Sequence, residues 1–79
     1  MPPRRTGKPQ PEVAAFGERV RHLRLERGWT QERLAEATGL NAVQVSHIEN
    51  GLNEPKLTTV LRIARAFKIN SGELLRPLR

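Results

Sequence analysis

Left-handed stops cut this chain into pieces too short to fold by themselves. Gly28, Gly39 and the Asn50-Gly51 pair each end a run of helix-compatible residues, and each is a residue type that closes a helix by turning left-handed at its C-terminus. Helical segments under about 12 residues rarely hold alone, because nucleation is costly. The segments must therefore share one core. The chain has 79 residues and no cysteine, so it has room for one small domain, no disulfide and no large catalytic cleft. An apolar core or oligomerisation must stabilise it, and a reducing cytoplasm suits it.

Apolar spacing locates the pieces. Val13, Phe16, Val20 and Leu23 recur at steps of three and four, which predicts a first helix over Glu12 to Arg27. The Thr30 hydroxyl is placed to cap a second, opened by Gln31 and Glu32, carrying Leu34, Ala35 and Ala37, and ended by Thr38 and Gly39. Asn41 followed by Gln44 has capping-box spacing for a third helix through Val45 and Ile48. After Pro55, Thr58 or Thr59 is expected to open a fourth with Val60, Leu61, Ala64 and Phe67 inward. Asn70 with Glu73 repeats the box for a fifth carrying Leu74, Leu75 and Leu78. The expected fold class is all-α, a compact five-helix domain over residues 12–79. Its core is expected to hold Phe16, Val20, Leu23, Leu34, Ala35, Leu40, Val45, Ile48, Leu57, Leu61, Ala64, Phe67, Ile69 and Leu74. Residues 1–11 hold four of the six prolines with Arg4, Arg5 and Lys8, and read as a flexible basic arm.

Charge and residue types narrow the function. Fourteen Lys and Arg face eight Glu, for a net +6, which points to nucleic acid or an anionic membrane. No single long amphipathic helix gathers the basic and apolar residues, and no run approaches the roughly 18 apolar residues of a span. Aspartate and cysteine are missing, and the two histidines, His22 and His47, stand 25 positions apart, so no metal or other cofactor is implied. No nucleophile has a base in reach, and an enzyme is the least expected class. No small-molecule ligand is implied.

Counting Gln31 as first, Ala35 is fifth, Gly39 ninth, Val45 fifteenth and Ile48 eighteenth. Small Ala permits close helix approach and Gly permits the turn between two short, steeply crossed helices. With WTQERLAEATGL, VSHIENG, Pro55 and VLRIARAFKINSGELL in order, residues Phe16 to Leu75 resemble the helix-turn-helix of the XRE, or lambda-repressor-like, family. In size, and in having no effector domain, the chain resembles the family's restriction-modification controller proteins.

The resemblance implies a sequence-specific binder of double-stranded DNA, a transcriptional regulator acting as a homodimer on a palindromic operator, with the third helix in the major groove. Asn41, Ala42, Val43, Gln44, Ser46 and His47 match the base-reading set. Gln31, Asn50, Lys56 and Thr58 match the phosphate-binding set, and Arg4, Arg5 and Lys8 on the arm are expected to add nonspecific affinity. Arg24 and Glu49 match an internal ion pair. Ile69, Leu75 and Leu78 are the expected dimer surface. Lys68 stands where the family often has glycine, and Gly72 weakens the first turn of the fifth helix. Trp29, just before the second helix, is expected to pack on Arg33 or Leu34 rather than stack on nucleic acid. The other reading is a protein-interaction module, such as an antitoxin docking on a partner, with DNA binding secondary.

Overall fold

Pro11 opens the first helix, where its missing N–H costs nothing. The computed structural model describes residues 10–78, which form α1 (Pro11–Glu26), α2 (Gln31–Thr38), α3 (Ala42–Glu49), α4 (Leu57–Phe67) and α5 (Ser71–Leu74), then a 3-10 turn, Arg76–Leu78. No strand occurs among the described residues. The sequence-derived boundaries hold within one residue for α1 to α3. Gly28, Gly39 and Gly51 all have positive φ, as the stops require.

Local hydrogen bonds explain the short helices. Thr30 Oγ1 accepts from the Arg33 N–H at 3.0 Å, and Asn41 and Gln44 complete a reciprocal capping box at α3. At α5 only half of the box forms. Asn70 Oδ1 accepts from the Glu73 N–H at 2.7 Å, while the Glu73 carboxylate turns to Arg19 and Arg76.

Three expectations about the C-terminal half are corrected. Helix α4 opens at Leu57, with Lys56 as N-cap and no side-chain cap bond, not at Thr58 or Thr59. Its buried stripe is Val60, Ile63, Ala64 and Phe67; Ile63 is 1% exposed, whereas Leu61 is 37% and Leu57 72% exposed. Steps of three, one and three make that stripe, and Leu61 lies just off it, turned outward. Helix α5 stops at Leu74, so Leu75 and Leu78 follow it in the turn beyond.

The core joins Phe16, Val20 and Leu23 of α1 to Leu34 and Ala35 of α2, Val45 and Ile48 of α3, the α4 stripe, and Leu74. Leu40 and Ile69, expected inside, are only partly buried against it. Two arginines tie the ends together. Arg27 donates to the Leu23 carbonyl at 3.0 Å and the Phe67 carbonyl at 2.9 Å, clasping the C-termini of α1 and α4. Arg19 bonds the Glu73 carbonyl at 3.0 Å and its carboxylate at 3.3 Å, holding α5 to α1. The frame that results presses the inner face of α3 against α1 and α2 and leaves its outer face uncovered.

Candidate nucleic-acid interface

Helix α3 has two unlike faces because its sequence alternates on a helical period. Val45, Ile48 and Glu49 are buried. Opposite them Val43 is 62% exposed, Asn41 and Gln44 are exposed, and Ala42, Ser46 and His47 are half-buried. Five of the six sequence-derived base-reading candidates thus lie on one short helix, and the sixth, Asn41, is its N-cap.

The capping box decides which atoms this face offers. Asn41 Oδ1 accepts from the Gln44 N–H at 2.8 Å and Gln44 Oε1 from the Asn41 N–H at 2.9 Å. Each side-chain amide keeps its NH2 group outside the box, so both residues present donors. Val43 and Ala42 add methyl groups. The Ser46 hydroxyl accepts from Asn50 Nδ2 at 3.3 Å, and Asn53 Nδ2 lies 3.3 Å from His47 Nδ1.

The phosphate-binding candidates flank that face. Gln31 stands in the first turn of α2, and its Nε2 donates to Glu49 Oε1 at 3.1 Å. The Glu49 carboxylate also accepts from Arg24 Nε at 2.6 Å and Arg24 Nη2 at 3.0 Å, a bidentate pair with both residues buried. Arg24 Nη1 donates onward to the Trp29 carbonyl at 2.8 Å. The hydrogen bonds that Arg24 donates to Glu49, and the negative charge of Glu49, raise the Arg24 pKa above its ordinary value against the opposing effect of burial. The expected ion pair is therefore a hub linking α1, the α2 entry and the end of α3, and Gln31 is held by it.

Lys56, Thr58 and Asn50 are exposed. Because Lys56 caps α4 without a side-chain bond, the first amides of that helix have no capping oxygen and suit an anion. Trp29 is committed to packing. Its ring stacks on Phe67 at 5.6 Å between centroids, and the Arg33 guanidinium sits 5.1 Å over it. Arg33 was expected there; Phe67 was not, because nothing local links residues so far apart in sequence.

Arg4, Arg5 and Lys8 lie outside the described residues. Ile69, Leu75 and Leu78 are partly buried against the core; Leu75 and Leu78 also line a shallow apolar groove with Val13, Phe16, Pro55 and Val60, rimmed by Glu12 and Glu54. The large apolar side chains left most open are elsewhere, among them Leu52 and Leu57. Gly17 is a residue that sequence reasoning passed over. A Cβ there would meet the backbone carbonyl oxygen of Ile48 and lie 2.7 Å from that of Glu49, so its absence lets α1 lie directly on the end of α3. A glycine in mid-helix, costly by about 1 kcal/mol, was the available signal.

No group of three or more His, Cys, Asp or Glu suited to a metal occurs among the described residues, and none of their helices is long and apolar enough to cross a membrane.

Comparison with known proteins agrees with this geometry. The family model described as "HTH_3: Helix-turn-helix" matches residues 20–74. The chain is 45% identical over 58 residues to the HTH-type transcriptional repressor RghR of Bacillus subtilis, covering 72% of this chain and 43% of that protein. It spans about half or less of the length of such curated relatives. The restriction-modification controller protein C.AhdI from Aeromonas hydrophila superposes with a TM-score of 0.79 at 35% identity, covering 82% of this chain and 98% of that one. The P22 c2 repressor, solved with a synthetic operator, superposes at 0.71 with 28% identity, covering 77% and 92%.

Proposed function

We propose that this chain, which belongs to the helix-turn-helix family HTH_3, is a transcriptional regulator that reads double-stranded DNA as a homodimer through the outer face of α3. The observation that carries the reading is the α3 surface formed by the exposed Val43 and Gln44 with the half-buried His47 beside them, backed by the buried Val45 and Ile48. A rod of that width enters a major groove about 12 Å wide, and its side chains reach base edges. Ala42 and Val43 offer methyl contact suited to thymine. Asn41, Gln44, Ser46 and His47 offer hydrogen bonds. No arginine stands on this face to grip guanine bidentately, so DNA shape shares the discrimination.

Gln31, Asn50, Lys56 and Thr58 then contact phosphates on either side, fixing register without reading sequence. Arg4, Arg5 and Lys8 add affinity that falls with salt, each lost phosphate contact shallowing the slope of log K against log salt by about 0.9. One recognition helix touches only a few base pairs, and two half-sites about 34 Å apart would address a unique operator. The Ile69, Leu75 and Leu78 surface is the proposed dimer contact. The cytoplasm is its proposed location.

Selection of duplexes from a random pool at physiological salt, with competitor DNA present, tests the function. A two-fold symmetric consensus is expected. Enrichment of no sequence over competitor would refute sequence reading, and capture of a protein partner in place of DNA would favour the interaction module.

A further inference from the structure

We propose that Asn53, in the loop after α3, determines which base edge His47 reads: it holds Nδ1 as an acceptor, leaves Nε2–H as the outward donor, and so selects for guanine. The inference rests on the reading of α3 as the recognition helix. Asn53 Nδ2 lies 3.3 Å from His47 Nδ1, and an amide NH2 has only protons to give. With the Asn53 amide in this orientation Nδ1 supplies the lone pair, and the proposed neutral ring carries its proton on Nε2.

The loop is built to keep this pairing. The Leu52 N–H donates to the carbonyl of His47 itself at 2.9 Å, and the Gly51 N–H to the Ile48 carbonyl at 3.1 Å. Asn53 follows directly from a backbone bond to its own partner. His47 Nδ1 is thereby occupied, and Nε2 has no hydrogen-bond partner among the described residues. Gln44, one helical turn earlier, likewise presents donors because its oxygen is in the capping box.

A face that donates at both positions matches acceptor-bearing edges. In the major groove guanine offers N7 and O6 side by side, thymine offers O4 and a methyl group for Val43, adenine offers N7 beside its N6 donor, and cytosine offers only the N4 donor. The position facing His47 is therefore guanine first, with thymine and adenine, which have one acceptor each, behind it, and cytosine rejected.

Two measurements test this. Long-range nitrogen–proton correlation spectra of the free protein at about pH 8 are expected to show His47 protonated on Nε2, and a mixture of tautomers in Asn53→Ala, which alters an exposed residue. Duplex selection is expected to favour guanine over cytosine about tenfold at one position of each half-site. That preference should vanish in His47→Ala and weaken in Asn53→Ala, where the ring loses its fixed orientation as well as its single tautomer, with the other positions unchanged. A proton on Nδ1, or an undiminished preference in Asn53→Ala, overturns the inference while leaving DNA reading intact. A wild-type protein that enriches no duplex overturns the recognition reading, and this inference with it.

Discussion

Gly17 and the Arg24–Glu49 pair meet at the same place, where α1 passes the end of α3. Gly17→Ala should destabilise the protein by about 3 kcal/mol, since the methyl group would displace backbone rather than a flexible side chain. A melting temperature unchanged within a degree or two would contradict the close approach. Removing one partner of the pair, as in Arg24→Ala, should cost about 3 to 5 kcal/mol by stranding a buried carboxylate, whereas Arg24→Met with Glu49→Leu should recover at least half. Chemical denaturation measures both. Because the guanidinium pKa is raised, its contribution is fully present at every pH below the ordinary arginine value. It is lost only as pH climbs through the raised one, so no loss from this group is expected between pH about 7 and 10. The pair was legible in the sequence only through the family resemblance. Its bond to Gln31 was not, because a side-chain amide's choice of partner depends on three segments meeting.

At the scale of helices, end chemistry was legible and orientation was less so. Thr30, Asn41 and Asn70 all cap as their types predict, because N-capping needs only a polar oxygen and an amide two or three residues on. Asn41→Ala should lower the melting temperature by about 4–8 °C, the equivalent of about 1 kcal/mol in a domain of this size. It should also weaken operator binding by fraying the first turn of α3. At α4 the sequence offers Leu61 and Ile63 as competing inward residues, and two short apolar stripes differ by little until the neighbouring helices choose one. Pro55 misled the start as well, since the helix opens at Leu57 without a polar cap. Lys68 holds the left-handed cap with φ of 60°, where glycine is favoured. Lys68→Gly should stabilise by up to about 1 kcal/mol, and a destabilised variant would mean the lysine side chain has a role that the cap geometry does not supply.

For the whole molecule, five short elements share a core that none could form alone, and what that core positions is one exposed helical face. Helix number and order were legible because stops and caps are local. The outermost apolar residues were not, because burial depends on which neighbours arrive. Leu57 and Leu61 were expected inside and are exposed, while Leu75 and Leu78 are partly covered. Sedimentation of Leu75→Ser/Leu78→Ser and of Leu57→Ser/Leu61→Ser separates the two apolar surfaces. Loss of dimer in the first alone supports the C-terminal contact, and loss in the second alone moves it to α4. The most direct measurement of the central claim is a comparison of affinities for the selected duplex and a scrambled one at fixed salt, for wild type, Val43→Ala, His47→Ala and Lys56→Ala. The α3 variants should lose affinity for the selected duplex by about tenfold and keep their affinity for the scrambled one, while Lys56→Ala weakens both alike. Discrimination that survives intact in both α3 variants would contradict the account.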